Sequence, residues 1–240
     1  MSSEASPGLN AKWALVTGGS RGIGLATAQA LARAGSRIIA ISRRGVAGAA
    51  GLERAVDIRA DLTDKAALER AIASTLEATA GGGPDILVNN AGTFAIASVA
   101  DADTTAFDRM LDINLAVPFK LVRAVLPRML ERKSGHIVGI GSVADHVLFA
   151  GNAAYSSSKY GLRALHEILR LETRGSGVRV TLVAPAATDT DIVDSLDPRA
   201  RSMMPPASMM LRADSVADAV LWAVTRPPAV DVEEVRLSFS

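Results

Sequence analysis

The chain has 240 residues, 49% of them hydrophobic and only 4% aromatic, with a formal net charge of +1. This is ample material for one core of Ala, Val, Leu and Ile, and the balanced charge gives no support for a nucleic-acid surface or an acidic tail. There is no Cys, which excludes disulfides, thiol catalysis and Cys-ligated zinc and suits a cytoplasmic setting, and no run reaches the ~18 apolar residues of a membrane span.

Residues 1–10 read as a flexible arm without the basic and apolar regions of a signal peptide, and 11–240 as a single domain. Lys12–Thr17 is a short buried strand closed by glycines, Gly22–Ala34 a helix ended by Gly35, and Arg37–Ser42 a second strand. Ala55–Ala60 is a weak third strand. Thr63 is placed to cap a helix over 64–79, which stops at Gly81-Gly82-Gly83-Pro84. Asp85–Asn89 is a fourth strand, followed by a helical stretch over 103–132 interrupted near Pro118 and Pro127. Gly135–Ser142 reads as strand, Ala153–Thr173 as helix, Val178–Ala184 as strand, Ser215–Thr225 as helix and Val232–Ser238 as a terminal strand. Strands apolar on both faces, alternating with helices, imply an α/β fold: a parallel sheet covered on both sides.

Two segments carry chemistry. Tyr155 and Lys159 lie four residues apart on a helix, roughly 6 Å along its axis, and so share a face. A cation beside a phenol favours the phenolate, so the pair reads as an acid–base group with a lowered tyrosine pKa. Ser142 ends the apolar run before it. Far upstream, Thr17-Gly18-Gly19-Ser20-Arg21-Gly22-Ile23-Gly24 joins a strand to a helix, where glycines admit phosphate oxygens to the backbone and the helix N-terminus offers N–H donors. Hydroxyl, acid and dinucleotide loop together suggest transfer of a hydride to a carbonyl or from an alcohol. In isolation, Tyr155 is a helix-surface aromatic, Lys159 a solvated charge, Ser142 a strand-end hydroxyl and Asn114 a turn or cap; their combination carries the reading.

With Asn89-Asn90-Ala91-Gly92 after the fourth strand and Asn114 in Asp-Ile-Asn-Leu, these motifs run in the order and spacing of one family. From Lys12 onward the chain resembles the short-chain dehydrogenase/reductase family, in its single-domain branch. The resemblance implies a Rossmann-like, doubly wound parallel sheet and an oxidoreductase with catalytic residues Asn114, Ser142, Tyr155 and Lys159. Tyr155 would be the acid/base and Lys159 would also hold the nicotinamide ribose. Ser142 would orient the substrate oxygen, and Asn114 would hold a water linking Lys159 to solvent. It further implies a cofactor site of Gly18, Ser20, Arg21, Gly22, Ile23, Gly24, Asp61, Leu62, Asn90, Ala91, Gly92, Pro185, Thr188 and Thr190, with Asp61 meeting the adenine. Asp61 is equally placed as a helix cap beside Thr63.

At the end of the second strand Ser42 is neutral, whereas an acid there would bind the adenosine ribose hydroxyls and repel a 2′-phosphate. Arg43, and Arg21 from the glycine loop, can form charge-assisted bonds to that phosphate. The expected cofactor is NADP (NADPH), with NAD as the alternative and with Arg43-Arg44 as a plain solvated turn the competing reading. After Pro185, where the family usually has Gly, this chain has Ala186, which narrows the space there. Residues 188–212 are expected to form a substrate lid. Its methionines, Met203, Met204, Met209 and Met210, suit an adaptable apolar pocket and equally a mobile loop or a subunit contact. His136 and His166 have no metal-ligand partners in sequence, His146 could face the pocket, and no metal is assigned. The expected partners are a small carbonyl or alcohol substrate and, by resemblance, a homodimer or homotetramer formed through the long helices, with no nucleic acid and no membrane. A nucleotide-sensing protein on the same fold, which should have lost the acid–base residues, and an isomerase or dehydratase that keeps its cofactor are the competing functions.

Overall fold

Successive residues of a strand point to opposite faces of a sheet, and that alternation sorts the core. In β1 (Trp13–Thr17), Ala14 and Val16 join one apolar cluster and Leu15 the other. The same division runs through β2 (Arg37–Ser42), where Ile38 and Ala40 oppose Ile39 and Ile41, and β4 (Ile86–Asn89), where Ile86 and Val88 oppose Leu87. A strand apolar on both faces needs cover on both. The first face receives α1 (Gly22–Arg33) through Ala28 and Leu31, and α8 (Ala213–Val224) through Val216, Val220 and Val224. The second receives α2 (Lys65–Ala78), α4 (Val117–Glu131) and α5 (Ala153–Thr173) through Leu68, Leu121, Val125, Met129 and Leu169.

The computed structural model describes residues 8–194 and 196–239. With β3 (Val56–Arg59), β5 (Gly135–Ile140), β6 (Val178–Pro185) and β9 (Glu234–Leu237), the strands form one seven-stranded sheet in the order β3-β2-β1-β4-β5-β6-β9, every pair parallel. This is the doubly wound arrangement, in which the carboxyl ends of all strands share one edge and ligands bind there. A two-residue parallel ladder, β7 (Thr188–Asp189) with β8 (Leu211–Arg212), lies apart from that sheet and closes the base of the 191–210 segment. That segment holds two short helices, α6 (Asp191–Asp194) and α7 (Pro198–Ser202).

Three local expectations change. Asp64, not Thr63, caps α2: its carboxylate accepts from Ala67 N at 2.6 Å, while Thr63 bonds Asp61. Pro127 sits inside α4 without ending it. The break falls earlier, at a π turn over Asp112–Ala116 between α3 (Thr104–Leu111) and α4, and Pro118 occupies the first turn of α4, where its missing N–H is not needed. Of the expected N-terminal arm, residues 1–7 lie outside the described residues, while Leu9 is buried in the first cluster. No helix among the described residues is long and apolar enough to cross a membrane.

Candidate active site

The glycine loop leaves β1 at the carboxyl edge of the sheet. Gly18 (φ +67°) and Gly22 (φ +52°) occupy the left-handed region that side chains resist. Gly24 is small for a different reason: a Cβ on it would lie 2.3 Å from Gly18 O and 2.4 Å from Asn90 Nδ2. Arg21 is the N-cap of α1 and supplies no side-chain capping bond, which leaves the helix N-terminus to a ligand. The loop is tied to β4 by one hydroxyl. Thr17 Oγ1 accepts from the N–H groups of Asn90 and Ala91, each at 3.0 Å, and Asn90 Nδ2 donates to Thr17 O at 2.8 Å.

A second chain of bonds runs from that turn to α5. Gly92 lies against Asn114, where a Cβ would meet Oδ1 at 2.9 Å. Asn114, buried in the π turn, accepts from Thr93 N at 2.9 Å and donates to Thr93 O at 3.0 Å and Ser158 Oγ at 2.9 Å. Both N–H donors of its side-chain amide are thus used. The π bulge turns Asn114 inward, a common use of such bulges.

Ser142 follows β5, with its Oγ accepting from Ala144 N at 3.1 Å and hydrogen-bonded to the Tyr155 hydroxyl. Lys159 is buried, donates to Ile140 O at 2.8 Å and lies 5.6 Å from the centre of the Tyr155 ring. Phe94 packs edge-on against that ring at 4.6 Å. One expectation is overturned here: Tyr155 is pushed up to about 12, not down. Burial is the main cause, the Ser142 hydrogen bond opposes it and the Asp145 charge adds to it. Burial also brings Lys159 down to about 8, against the pull of Asp145. Desolvation dominates both shifts because each charged form loses water.

Ser42 is buried with its Oγ accepting from Gly45 N at 2.9 Å, and Arg43 beside it is exposed. Asp61 accepts from Thr63 N and Oγ1 at 3.0 and 2.7 Å, which holds its carboxyl below the usual range; Arg43 and Arg109 lower it further. Leu62 is buried behind it. Arg21 reaches across to Asp191, the first residue of α6, 3.1 Å away. Ser20 and Ile23 flank this loop, both partly buried. Thr190 sits against Gly22, and Thr188 Oγ1 donates to Ala186 O at 2.9 Å just after Pro185. Beyond Tyr155, Gly151 meets Ile96 and the tip of Met203, and Ala97 N donates to Gly151 O at 2.8 Å. Apolar side chains thus stand on both sides here, Phe94 against Tyr155 and Ile96 and Met203 against Gly151.

The sequence reading missed Asp145, which is fully buried. Its signal was present: Ser142-Val-Ala-Asp145 is a capping pattern, and Ser142 N does donate to Asp145 Oδ2, at 3.5 Å.

Comparison with known proteins agrees with this geometry. The family model described as short chain dehydrogenase matches residues 12–201. An uncharacterized oxidoreductase of Staphylococcus aureus (strain MW2) is 32% identical over 156 residues, covering 65% of this chain and 64% of the relative, so the match spans less than two thirds of that protein's length. Among solved structures, a closed-form serine dehydrogenase complexed with NADP+ superposes with a TM-score of 0.84 at 29% identity, covering 94% of each chain. A metagenomic short-chain oxidoreductase in complex with NADP gives a TM-score of 0.79 at 31% identity, covering 97% of this chain and 99% of that one. The glycine loop, the Asn90 turn, Ser142 and the Tyr155–Lys159 pair lie along one sheet edge in a chain matched by that model over most of its length: this protein belongs to the short-chain dehydrogenase family.

Proposed function

We propose that this chain is an NADP(H)-dependent oxidoreductase that interconverts a carbonyl compound and a secondary alcohol. The observation that carries the reading is the convergence of Ser142, Tyr155 and Lys159 beside the glycine loop. A bound nicotinamide supplies or accepts the hydride. Tyr155 gives its proton to the developing alkoxide oxygen, or takes one from the alcohol, which is general acid–base work. Ser142 holds the substrate oxygen by a hydrogen bond as charge develops. Lys159, fixed by Ile140, places a positive charge next to the phenol and binds the nicotinamide ribose.

The cradle fits a dinucleotide: the glycines leave room that side chains would fill, and the capless N-terminus of α1 faces it. Gly18, Ser20, Gly22, Ile23 and Gly24 would hold the pyrophosphate, Asp61 and Leu62 the adenine, and Asn90, Ala91 and Gly92 the middle of the cofactor. Pro185, Thr188 and Thr190 would line its nicotinamide end. NADP over NAD is supported by neutral Ser42, by exposed Arg43 and by the NADP bound in two similar structures. The 188–212 segment acts as a lid, hinged at the β7–β8 ladder. Its apolar neighbours favour an uncharged, apolar carbonyl substrate. Phe119, Ile168 and Leu171 stay exposed on α4 and α5, supporting a homodimer or homotetramer through those helices. A cytoplasmic setting is part of this reading.

The test is a panel of ketones, 3-oxoacyl thioesters, sugars and hydroxy acids, each with both cofactors, followed by the absorbance of the reduced nicotinamide. NADPH-dependent turnover of apolar ketones is the expected result. Tight cofactor binding without turnover of any substrate would point instead to a nucleotide sensor.

A further inference from the structure

The turn after β5 carries a charged cluster that the reaction as described does not use. Asp145 has no exposed surface. Its Oδ2 accepts from Ser142 N at 3.5 Å, and its Oδ1 lies 2.8 Å from His146 Nδ1. That nitrogen is directed to Asp145 O, also 2.8 Å away, so Oδ1 has a neighbour but no well-aligned hydrogen bond among the described residues. On its far side His146 Nε2 is 3.0 Å from Glu234 of β9, and Glu234 is in turn held by Arg236 at 2.7 Å. Arg163 of α5 donates to the His146 ring and pairs with Glu167 at 2.7 Å. The titratable and charged groups facing Asp145 are therefore His146 on its own turn, Arg163 and Lys159 on α5, and Glu234 and Arg236 on β9, with the Tyr155 phenol beside them.

A buried carboxylate costs several kcal/mol in an apolar setting unless it is paired, so its retention one turn from Ser142 calls for a reason. The backbone bond to Ser142 is one. The field is the other: an anion here holds the proton on Tyr155 and the charge on Lys159. We propose that Asp145 is a positioning residue of the active site, which fixes the Ser142 turn and places a buried carboxylate, held in a ladder with His146 and Glu234, behind the catalytic residues. The ladder through His146 and Glu234 to Arg236 links that charge to the protein surface. This inference rests on the reading of Tyr155 as the acid/base.

The experiment compares Asp145→Asn with wild type. Asparagine keeps an acceptor for Ser142 N and removes the charge. Tyr155 and Tyr160 are the two tyrosines of the chain, so subtracting the titration of Tyr155→Phe isolates the ionisation of Tyr155 by ultraviolet difference spectroscopy. In Asp145→Asn that ionisation should move to lower pH, and the alkaline limb of kcat/KM should move with it. Arg163→Gln removes a cation that offsets the carboxylate and should move both the other way, which keeps the inference testable if Asp145→Asn does not fold. An unmoved Tyr155 titration in a folded Asp145→Asn protein, or a shift of the same sign in both variants, overturns the proposal. If the titration moves as stated while Tyr155→Phe keeps its turnover, the field of Asp145 stands and it is the acid/base role of Tyr155 that fails.

Discussion

Lys159 Nζ lies 5.6 Å from the centre of the Tyr155 ring and is held there by Ile140 O, not by the tyrosine hydroxyl. In the proposed mechanism the lysine would act on the phenol through charge, since its hydrogen bond goes to Ile140 O. Tyr155→Phe keeps the ring, its contact with Phe94 and this cation, and removes the hydroxyl with its transferable proton and its bond to Ser142. The expected loss in kcat is about 10²–10⁴-fold, the usual worth of general acid catalysis, with NADPH binding unchanged in a fluorescence titration. Near-normal turnover would end the assignment. Lys159→Ala should lower both turnover and cofactor affinity, because its ammonium serves the phenol and the ribose.

The cofactor preference is expected to sit at Arg43. A charge-assisted hydrogen bond is worth roughly 1.5–3 kcal/mol, so Arg43→Ala should weaken NADPH about ten- to a hundredfold and leave NADH almost unchanged. Ser42→Asp adds an acceptor for ribose hydroxyls and repulsion against a phosphate, and should move preference toward NADH. Arg21 compensates only in part, because Asp191 already pairs with it. Dissociation constants of both cofactors for wild type and both variants decide the matter: equal weakening of NADPH and NADH in Arg43→Ala means the arginine is a solvated turn residue.

Ile168 and Leu171 are three residues apart on α5, hence on one face, and both are exposed. Placing a charge in a subunit interface at that face should break it. Ile168→Glu or Leu171→Glu is expected to reduce the mass measured by size exclusion with light scattering. A wild-type protein that already runs as a monomer removes the basis of the oligomer reading.

How far the sequence carried this picture depends on the range of the physics. The sheet was legible because each strand is a short apolar run bounded by turn residues, and Ala153–Thr173 was read to the residue. The site was legible as motifs, since the glycines, Asn90, Ser142, Tyr155 and Lys159 answer to local backbone and chemical demands. What it did not yield depends on packing across the chain. The pKa of Tyr155 was read from one neighbour at helical spacing, whereas burial by residues far apart in sequence governs it. The Asp145 ladder needs β9 beside the turn after β5, a placement set by the whole sheet order. The π turn at Asn114 has no marker of its own in Asp112-Ile-Asn-Leu-Ala116.

Acid should destabilise the fold through two buried histidines. His136 Nε2 lies 2.8 Å from Thr181 Oγ1, and that hydroxyl gives its own proton to Val232 O at 2.6 Å, so His136 is the donor and carries its proton on Nε2. His166 bonds Leu162 O at 2.8 Å and packs on Gly139, where a Cβ would meet its Nε2 at 2.4 Å. Burial holds both neutral, His136 down at about 3 and His166 at about 4. In the unfolded chain each takes up a proton near pH ~6.5. Between those values the unfolded state binds more protons than the folded one, so stability is full above ~6.5 and falls as pH drops through the window below it. Each histidine contributes a slope of about 1.4 kcal/mol per pH unit, roughly 2.7 for the two together, down to about pH 4. Urea denaturation at steps from about pH 7 to about pH 5 should show a falling midpoint at constant m. His136→Gln keeps a donor toward Thr181 but cannot titrate, so it should halve the slope whatever it does to stability at neutral pH. A midpoint that stays level across that range would mean that both rings accept a proton in the folded protein.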